Sequence, residues 1–137
     1  MRVLVDTSVW SESLRRVKRT RTSVAQELRS LILEHRVDMI GPIGQEILSG
    51  LRGDTQFEKL VKHLASFPDV RLEADDHVAA AKCFNTCRAK GVQGSNTDFL
   101  ICAVAVRHKL AIYTTDKDFE KFAKHLPIVL HEARSLE

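Results

Sequence analysis

The sequence predicts an α/β protein: a three-layer α/β/α sandwich in which helices cover both faces of a mainly parallel, five-stranded sheet. Short apolar runs alternate with longer amphipathic runs along the whole chain. Strands that alternate with helices in this way usually pair in parallel and are buried on both faces. The 137 residues, of which 44% are hydrophobic, are enough for one packed core. We therefore predict a single domain over residues 1–137.

The first part of the chain predicts one strand and two helices. Residues 2–5 form a short run rich in β-branched residues, which is typical of a buried strand. The strand stops at a polar triplet in which Thr7 or Ser8 can cap a helix. Ser23 with Gln26 resembles a capping box, and apolar residues follow it at helical spacing.

The middle of the chain predicts two further strands and two helices between them. Residues 37–40 are the second short apolar run. Pro42 fits the first turn of a helix, which we expect to end by Gly53, and Asp54 can cap the next helix. Residues 70–72 are predicted as the third strand.

Caps and apolar runs also predict the remaining elements. Asp75 or Asp76 can open a long helix, and Gly91 fits the position after its C-cap. Asn96 or Thr97 can cap the helix that follows. The last elements are predicted to be a helix over 98–108, a strand over 111–114, a helix over 118–124 and a strand over 128–130.

Composition restricts the class of protein. No apolar run approaches the roughly 18–20 residues of a membrane span. Residues 1–5 are followed at once by Asp6, so the start lacks the apolar core of a signal peptide. Three cysteines are too few for a disulfide framework. We expect a soluble, reduced, cytoplasmic protein with no membrane partner.

A basic run follows the first predicted helix, and it consists of Arg15, Arg16, Lys18, Arg19 and Arg21. Such a run is typical of a solvated loop or helix end. It is equally typical of a contact with the phosphate backbone of a nucleic acid. The net charge of +3 permits an anionic partner without requiring one, so both interpretations stay open.

Four acidic residues are expected to meet at one edge of the sheet. Asp6 and Asp116 follow the first and fourth strands, and α/β proteins bind ligands beyond the carboxyl ends of their strands. Asp98 begins the helix that leads into the fourth strand, and Glu46 lies one turn into the helix after the second. Each residue taken alone could instead be a helix cap or a solvent-facing acid.

Clustered carboxylates favour a bound cation. Two of them about 4 Å apart repel by about 4 kcal/mol at an effective dielectric constant near 20. Oxygen ligands suit Mg²⁺ or Mn²⁺ rather than Zn²⁺, and such ions assist the attack of water on a phosphodiester. The neutral side chains available to orient waters are those of Thr7, Ser8, Asn96, Thr114 and Thr115.

Four motifs carry a resemblance to a known family. They are residues 3–10 (VLVDTSVW), 42–50 (PIGQEILSG), 94–101 (GSNTDFLI) and 113–119 (YTTDKDF). In this order and spacing they resemble the PIN-domain ribonucleases, specifically the VapC-type toxins of type II toxin–antitoxin systems. The resemblance implies a PIN-like fold with strand order 3-2-1-4-5 and Mg²⁺- or Mn²⁺-dependent endonuclease action on RNA.

The resemblance also implies roles for individual residues. The implied catalytic acids are Asp6, Glu46, Asp98 and Asp116. Of these, Asp6, Asp98 and Asp116 would be the inner metal ligands. Glu46 would act through water or on a second ion. Thr115 matches a hydroxyl position that supports the metal's water, and Asp118 matches an accessory acid.

The resemblance further implies a cognate VapB-like antitoxin, which would inhibit the nuclease by lying across its active-site groove, and a homodimer. The apolar residues Val9, Trp10, Phe57 and Leu60 could serve either interface. Packing in the core is the commoner role for such residues.

Other interpretations remain open at this point. The main alternative is a catalytically silent PIN-like module that binds RNA or protein. A haloacid-dehalogenase-like phosphatase is disfavoured because Ser8 stands where a second aspartate is needed. A response-regulator receiver is disfavoured because the third strand ends at Leu72 and Glu73 rather than at aspartate. Cys83 and Cys87 lack the patterned partners of a zinc site and fit buried thiols better.

Overall fold

The computed structural model describes residues 1–14 and 22–134; the basic run and the last three residues lie outside them. The strands are β1 (Val3–Val5), β2 (Val37–Asp38), β3 (Ala111–Tyr113) and β4 (Val129–Leu130). The helices are α1 (Thr7–Leu14), α2 (Ser23–Leu33), α3 (Gly41–Leu48), α4 (Asp54–Ala65), α5 (Ala74–Ala89), α6 (Asn96–His108) and α7 (Asp118–Ala123). Within this part of the chain, no helix has both the length and the apolar character needed to cross a membrane.

The strands pair in parallel in the order β2-β1-β3-β4. The central strand is β1, in which Val3 pairs with Val37 on one side and with Ala111 on the other. β1 and β3 are buried throughout, because apolar residues occupy both faces of each strand. The parallel sheet confirms the predicted α/β class, and it brings the carboxyl ends of its strands to one edge.

The prediction of five strands is wrong for the described residues, because residues 70–72 form no strand. A single bridge pairs Met39 with Asp69. In that bridge Met39 N donates to Pro68 O at 2.9 Å, and Val70 N donates to Met39 O at 2.8 Å. The pairing cannot extend because β2 has only two residues and Pro68 has no N–H to donate. The other four strands keep the neighbours that the order 3-2-1-4-5 gave them.

Most helices begin earlier than their predicted caps. Thr7 is already the first residue of α1, Gly53 rather than Asp54 caps α4, and Glu73 rather than Asp75 or Asp76 caps α5. Helices α2 and α6 are also capped earlier, in each case by a hydroxyl residue. Thr22, rather than Ser23, caps α2, and its hydroxyl accepts a hydrogen bond from Ala25 N at 3.1 Å. A capping box between Ser95 and Asp98 begins α6. In both cases a hydroxyl residue with an extended backbone reaches N–H groups that the first helical turn leaves unpaired.

The core surrounds α6 and the central strands. Residues 99–105 of α6 are all buried, which explains why this helix is apolar all round. Val9 and Trp10 are also buried, so core packing accounts for these two residues. Burial raises the pKa of the Cys87 and Cys102 thiols, as expected for cysteines that serve as small apolar side chains.

Helices α5 and α6 run in opposite directions. Asp76 in the first turn of α5 pairs with Arg107 in the last turn of α6, with Oδ1 and Nε 2.5 Å apart. Because α6 leads into β3, its last turn lies near the start of that strand and its first turn lies near the strand's carboxyl end. Asp76 and Asp98 are thus separated by most of the length of α6, about 1.5 Å per residue.

The Asp76–Arg107 pair is expected to stabilise the fold in a pH-dependent way. Hydrogen bonds from Arg107 lower the pKa of Asp76 below its ordinary value of 3.8, against a smaller opposing effect of burial. A carboxyl group with a lowered folded-state pKa contributes stability above its unfolded pKa and loses it as the pH falls through the folded value. We expect Asp76→Asn to lower the free energy of unfolding by about 1 kcal/mol at neutral pH.

Urea denaturation at neutral pH and below the folded pKa of Asp76 measures this contribution. The difference between wild type and Asp76→Asn should disappear in acid. Asp75→Asn is the matched control, because Asp75 lies in the same helical turn but is exposed. A difference that persists unchanged in acid would show that the carboxylate's charge is not the source of the stability.

Gly94 lies directly against the aromatic core. A Cβ atom added there would lie 2.5 Å from Phe122 Cζ and 3.0 Å from Phe99 Cε2. These two buried rings pack on each other with centroids 4.7 Å apart, so neither can move aside alone. Gly94→Ala should therefore lower the free energy of unfolding by about 2 kcal/mol. The control is Gly41→Ala, where a Cβ meets no atom within 4 Å; equal urea midpoints for the two variants would contradict the expected clash.

Candidate active site at the carboxyl ends of the strands

Asp6 is the first residue after β1 and is buried, with 6% of its surface exposed. Its backbone N–H donates to Tyr113 O at 2.9 Å, which holds the ends of β1 and β3 together. Its backbone oxygen accepts from Val9 N at 3.1 Å in the first turn of α1. Sheet pairing and the helix start together fix this carboxylate at the strand-end edge.

Two hydroxyl groups, which we call the Ser8–Thr114 clamp, hold one oxygen of the Asp6 carboxylate. Ser8 Oγ donates to Asp6 Oδ2 at 2.9 Å, and Thr114 Oγ1 donates to the same atom at 2.8 Å. Ser8 Oγ accepts from Thr115 N at 3.1 Å. Thr114 Oγ1 accepts from Asp116 N at 3.0 Å. Within the described chain Oδ1 receives no hydrogen bond, which leaves that oxygen available to a cation or to water.

Asp116 lies three residues beyond the end of β3. Its Oδ1 accepts from Asp118 N at 2.9 Å, which fixes the turn into α7. Asp118 itself is half exposed, and its carboxylate lies 3.7 Å from the ammonium group of Lys121 on the same helix. Asp116 therefore has a local structural role at this edge, and Asp118 lies on the surface of α7.

Asp98 comes to the same edge from the start of α6. Its Oδ2 accepts from Ser95 N at 3.1 Å in the capping box. Burial raises the pKa of Asp98, and the negative charges of Asp6 and Asp116 raise it further, while the bonds from Ser95 act in the opposite direction. The start of α6 lies at the edge where β1 and β3 end, because α6 runs antiparallel to the strand that follows it and β1 pairs in parallel with β3.

Glu46 is connected to this edge through Thr7. Thr7 Oγ1 donates to Glu46 Oε1 at 2.7 Å, although 39 residues separate the two in the sequence. Thr7 directly follows Asp6, so the bond joins α3 to the end of β1. Glu46 remains exposed to solvent. We call Asp6, Glu46, Asp98 and Asp116 the acidic rim.

The acidic rim offers carboxylate oxygens, the ligand type that Mg²⁺ and Mn²⁺ bind. No member of the rim forms an ion pair with any residue in 1–14 or 22–134. In the same ranges, no three acidic, histidine or cysteine side chains lie close enough to form a ready-made metal site. Mg²⁺ and Mn²⁺ accept oxygen ligands, and Mg²⁺ usually binds one or two carboxylates and keeps several waters. The open rim fits such an ion, whereas three direct carboxylate ligands would require side-chain movement.

The structure distinguishes the hydroxyl residue that contacts Asp6 from its neighbour, which the sequence does not. The exposed Thr115 contributes its backbone N–H, and the adjacent Thr114 is the residue whose hydroxyl contacts Asp6. Sequence reasoning named Ser8 and Thr114 only as groups near the acids. The available signal is that both residues directly follow, or nearly follow, buried strands.

A family model described as "PIN domain" matches residues 3–125. This chain belongs to the PIN-domain family. The PIN domain is 36% identical over 126 residues to "VapC ribonuclease Mb1587" of Mycobacterium bovis, which covers 89% of this chain and 92% of that protein. The resemblance to VapC-type proteins drawn from the four motifs is thereby confirmed.

Solved structures share the fold of this PIN domain. VapBC2 from Rickettsia felis, bound to a DNA fragment from its promoter, aligns with a TM-score of 0.75 and 15% identity over 96% of this chain and 98% of that one. A toxin–antitoxin complex from Klebsiella pneumoniae aligns with a TM-score of 0.67 and 18% identity over 85% of this chain and 89% of that one. At these identities the likeness extends to the fold alone.

Proposed function

We propose that this PIN-domain protein is a metal-dependent endoribonuclease that hydrolyses RNA phosphodiester bonds, and that it acts in the cytoplasm as the toxin of a toxin–antitoxin pair. The observation that carries the proposal is the acidic rim at the carboxyl ends of the strands, whose members pair with no basic residue of the described chain. The 36% identity to a protein named VapC ribonuclease supports the same conclusion.

Each acid of the rim would have its own role in the proposed reaction. Mg²⁺ or Mn²⁺ bound there would polarise the scissile phosphate and lower the pKa of the attacking water. Asp6 would hold the ion through Oδ1, because the Ser8–Thr114 clamp occupies Oδ2. Asp98 and Asp116 would complete the site, directly or through water. Glu46, which Thr7 holds in place, would bind an outer water or a second ion.

Thr115 and Asp118 have supporting roles in this proposal. The backbone N–H of Thr115 supports Ser8, and its exposed side chain stands beside Asp116 in the sequence, where it can hold a water. The backbone N–H of Asp118 orients Asp116 Oδ1. Both residues would therefore act through their neighbours rather than on the phosphate.

Mapping of cleavage ends on total RNA tests the proposed reaction. We expect new RNA ends with Mg²⁺ or Mn²⁺, no new ends in excess chelator, and the same ends again after Mn²⁺ is added back. The circular dichroism spectrum should be the same with and without chelator, so that loss of cleavage reports loss of the ion. Cleavage at the same ends in chelator would refute the metal-dependent mechanism.

One observation favours the alternative of a catalytically silent module that binds RNA or protein. The described residues contain no ready-made three-ligand metal site. The two functions differ in Mn²⁺ binding: a catalytic rim should bind Mn²⁺ and lose it in Asp98→Asn. A protein that binds RNA but shows no Mn²⁺ binding and no cleavage would support the silent module.

A groove formed by α1, α2, α3 and α4 offers a surface for the proposed antitoxin. A cleft of about 450 Å³ between α1 and α2 adjoins a cleft of about 600 Å³ between α1, α3 and α4, and Leu14 lines both. Leu60 lines the second cleft, and Phe57 on α4 is partly exposed. Trp10 lines the first cleft, and its buried Nε1 has no hydrogen-bond partner among the described residues. Loss of cleavage at one equivalent of a co-purifying partner would support inhibition; undiminished cleavage would refute it.

The proposed homodimer rests on the family resemblance alone, and a measurement of the protein's mass in solution tests it. Sedimentation at micromolar concentration should give twice the mass of 15.5 kDa calculated for one chain. A sedimenting species with the mass of one chain at that concentration would refute it.

The basic run lies outside the described residues, and its contact with the RNA backbone stays a prediction. Neutralising Arg15, Arg16, Lys18, Arg19 and Arg21 should weaken RNA binding and flatten its salt dependence. Each phosphate contact removed from a single strand should reduce the slope of log K against log salt by about 0.7. An unchanged slope would favour the other interpretation of the basic run, a solvated loop or helix end.

A further inference from the structure

A third cleft, of about 500 Å³, lies between α5, the start of α6 and the start of α3. Its volume is within the range of small-molecule sites. Asn96 and Thr97 form one end of it and directly precede Asp98. Pro42 borders it from α3, four residues before Glu46, which is about 6 Å along a helix. The cleft therefore opens beside two members of the acidic rim.

The lining of this cleft is neutral, in contrast to the rim. No aspartate, glutamate, lysine or arginine is among the described residues that form it, and His77 is its one titratable side chain. One charged group borders the cleft, the Arg88 guanidinium, which donates to Asn85 Oδ1 at 3.2 Å, and a flat group with polar edges would fit against the neutral lining itself. The phosphate of a bound RNA would instead need the cation at the rim.

The side chains in the cleft are those that recognise unstacked bases. The Asn96 amide offers two donors and an acceptor, and the Asn85 amide offers two donors beside an Oδ1 that already accepts from Arg88 Nη2 at 3.2 Å. Phe84 provides an aromatic wall. Phe84 is held by an edge contact with Phe99, with ring centroids 5.4 Å apart, and by the Arg88 guanidinium 5.6 Å from its own centroid. Proteins read single-stranded RNA by combining such stacking surfaces with hydrogen bonds to base edges.

We propose that this cleft binds the nucleobase of the nucleotide next to the scissile phosphate, and that it sets the base preference of cleavage. The proposal rests on the proposed ribonuclease function, because the cleft matters for cleavage only if RNA crosses the rim. Consecutive Cα atoms are 3.8 Å apart. A base held against Thr97 would therefore lie within one nucleotide of a phosphate at Asp98.

The test uses the full-length protein, neutral nucleosides and two cleft variants. Asn85→Ala removes one amide, and Ala81→Leu fills the cleft from an exposed position of α5. Thr86→Ala is the matched control, because Thr86 is exposed on α5 and does not line the cleft. Adenosine, guanosine, cytidine and uridine are titrated without divalent cation, and backbone amide shifts are followed by NMR.

We expect one nucleoside to shift residues 80–85 and 96–100, and its affinity to fall about tenfold in both cleft variants but not in Thr86→Ala. The base preference at mapped cleavage ends should weaken to the same extent. If the wild type binds the nucleoside but cuts no RNA, the ribonuclease proposal fails and the base site stands. The base-site proposal would be overturned if no nucleoside shifted the amide signals of the cleft, or if the base preference were unchanged in both cleft variants. It would also be overturned by variants that change only the sedimenting mass, which would identify the cleft as a contact between two copies of the chain.

Discussion

Replacing Asp98 with asparagine is expected to lower RNA cleavage by about a thousandfold, the order of effect of removing one polar group from a catalytic centre. Asparagine keeps the shape of the side chain and an oxygen that can accept from Ser95 N, so the capping box of α6 survives. The negative charge that would hold the cation is lost. The change therefore separates the proposed chemical role of Asp98 from its role as a helix cap.

The same variant is expected to unfold at an equal or higher temperature than the wild type when no metal is present. Burial and the charges of Asp6 and Asp116 raise the pKa of Asp98. An acid with a raised folded-state pKa lowers stability where it is ionised, and this cost fades as the pH falls through the folded value. Any advantage of asparagine should thus be present at neutral pH and shrink in acid.

Asp75→Asn is the matched control for both measurements. Asp75 is likewise a first-turn acid, but it is exposed and lies in the first turn of α5, beside the end of α6 that is far from the rim. Its variant should cleave RNA at the wild-type rate. Cleavage assays and thermal denaturation of both variants distinguish a chemical role of Asp98 from a purely structural one. Loss of cleavage in Asp98→Asn with an equal loss of stability would show that Asp98 is a structural cap.

A helix or strand could be predicted where its own residues carry the pattern. It could not be predicted where its formation depends on pairing with another segment. Residues 99–105 are apolar because α6 is surrounded, and β1 is apolar because both its faces are buried. Residues 70–72 have the composition of a strand. Whether they form one depends on β2 and Pro68, which allow only one bridge. Nothing within the segment shows that limit.

The acids of the site were predictable from topology, and the clamp was not. Parallel strands end at one edge, so Asp6 and Asp116 could be expected together from their place after β1 and β3. The contact between Ser8 and Thr114 depends on the register that pairs Val5 with Tyr113, which the sequence does not reveal. Consecutive residues of an extended chain point to opposite sides, which is why Thr114 contacts Asp6 and Thr115 is exposed.

Removing half of the Ser8–Thr114 clamp is expected to weaken Mn²⁺ binding about ten- to a hundredfold, the usual effect of losing a group that orients a metal ligand. In Ser8→Ala or Thr114→Val, Asp6 Oδ2 keeps one of its two donors. The carboxylate can then rotate, and Oδ1 no longer has one fixed direction. A lost hydrogen bond to a charged group costs about 1.5–3 kcal/mol of stability, which is less than the roughly 5–15 kcal/mol typical of a folded domain, so both variants should remain folded.

Conservative replacements distinguish orientation of Asp6 from a general packing effect. Ser8→Thr and Thr114→Ser keep the hydroxyl and should retain Mn²⁺ affinity close to that of the wild type, whereas Ser8→Ala and Thr114→Val should not. Thr115→Val tests the other hydroxyl that the family resemblance singles out. Calorimetric titration with Mn²⁺ measures all five variants without relying on cleavage. If Thr115→Val weakens binding and the clamp variants do not, the Thr115 hydroxyl rather than the clamp organises the metal site, because only a group that fixes a ligand oxygen can change affinity while the fold stays intact.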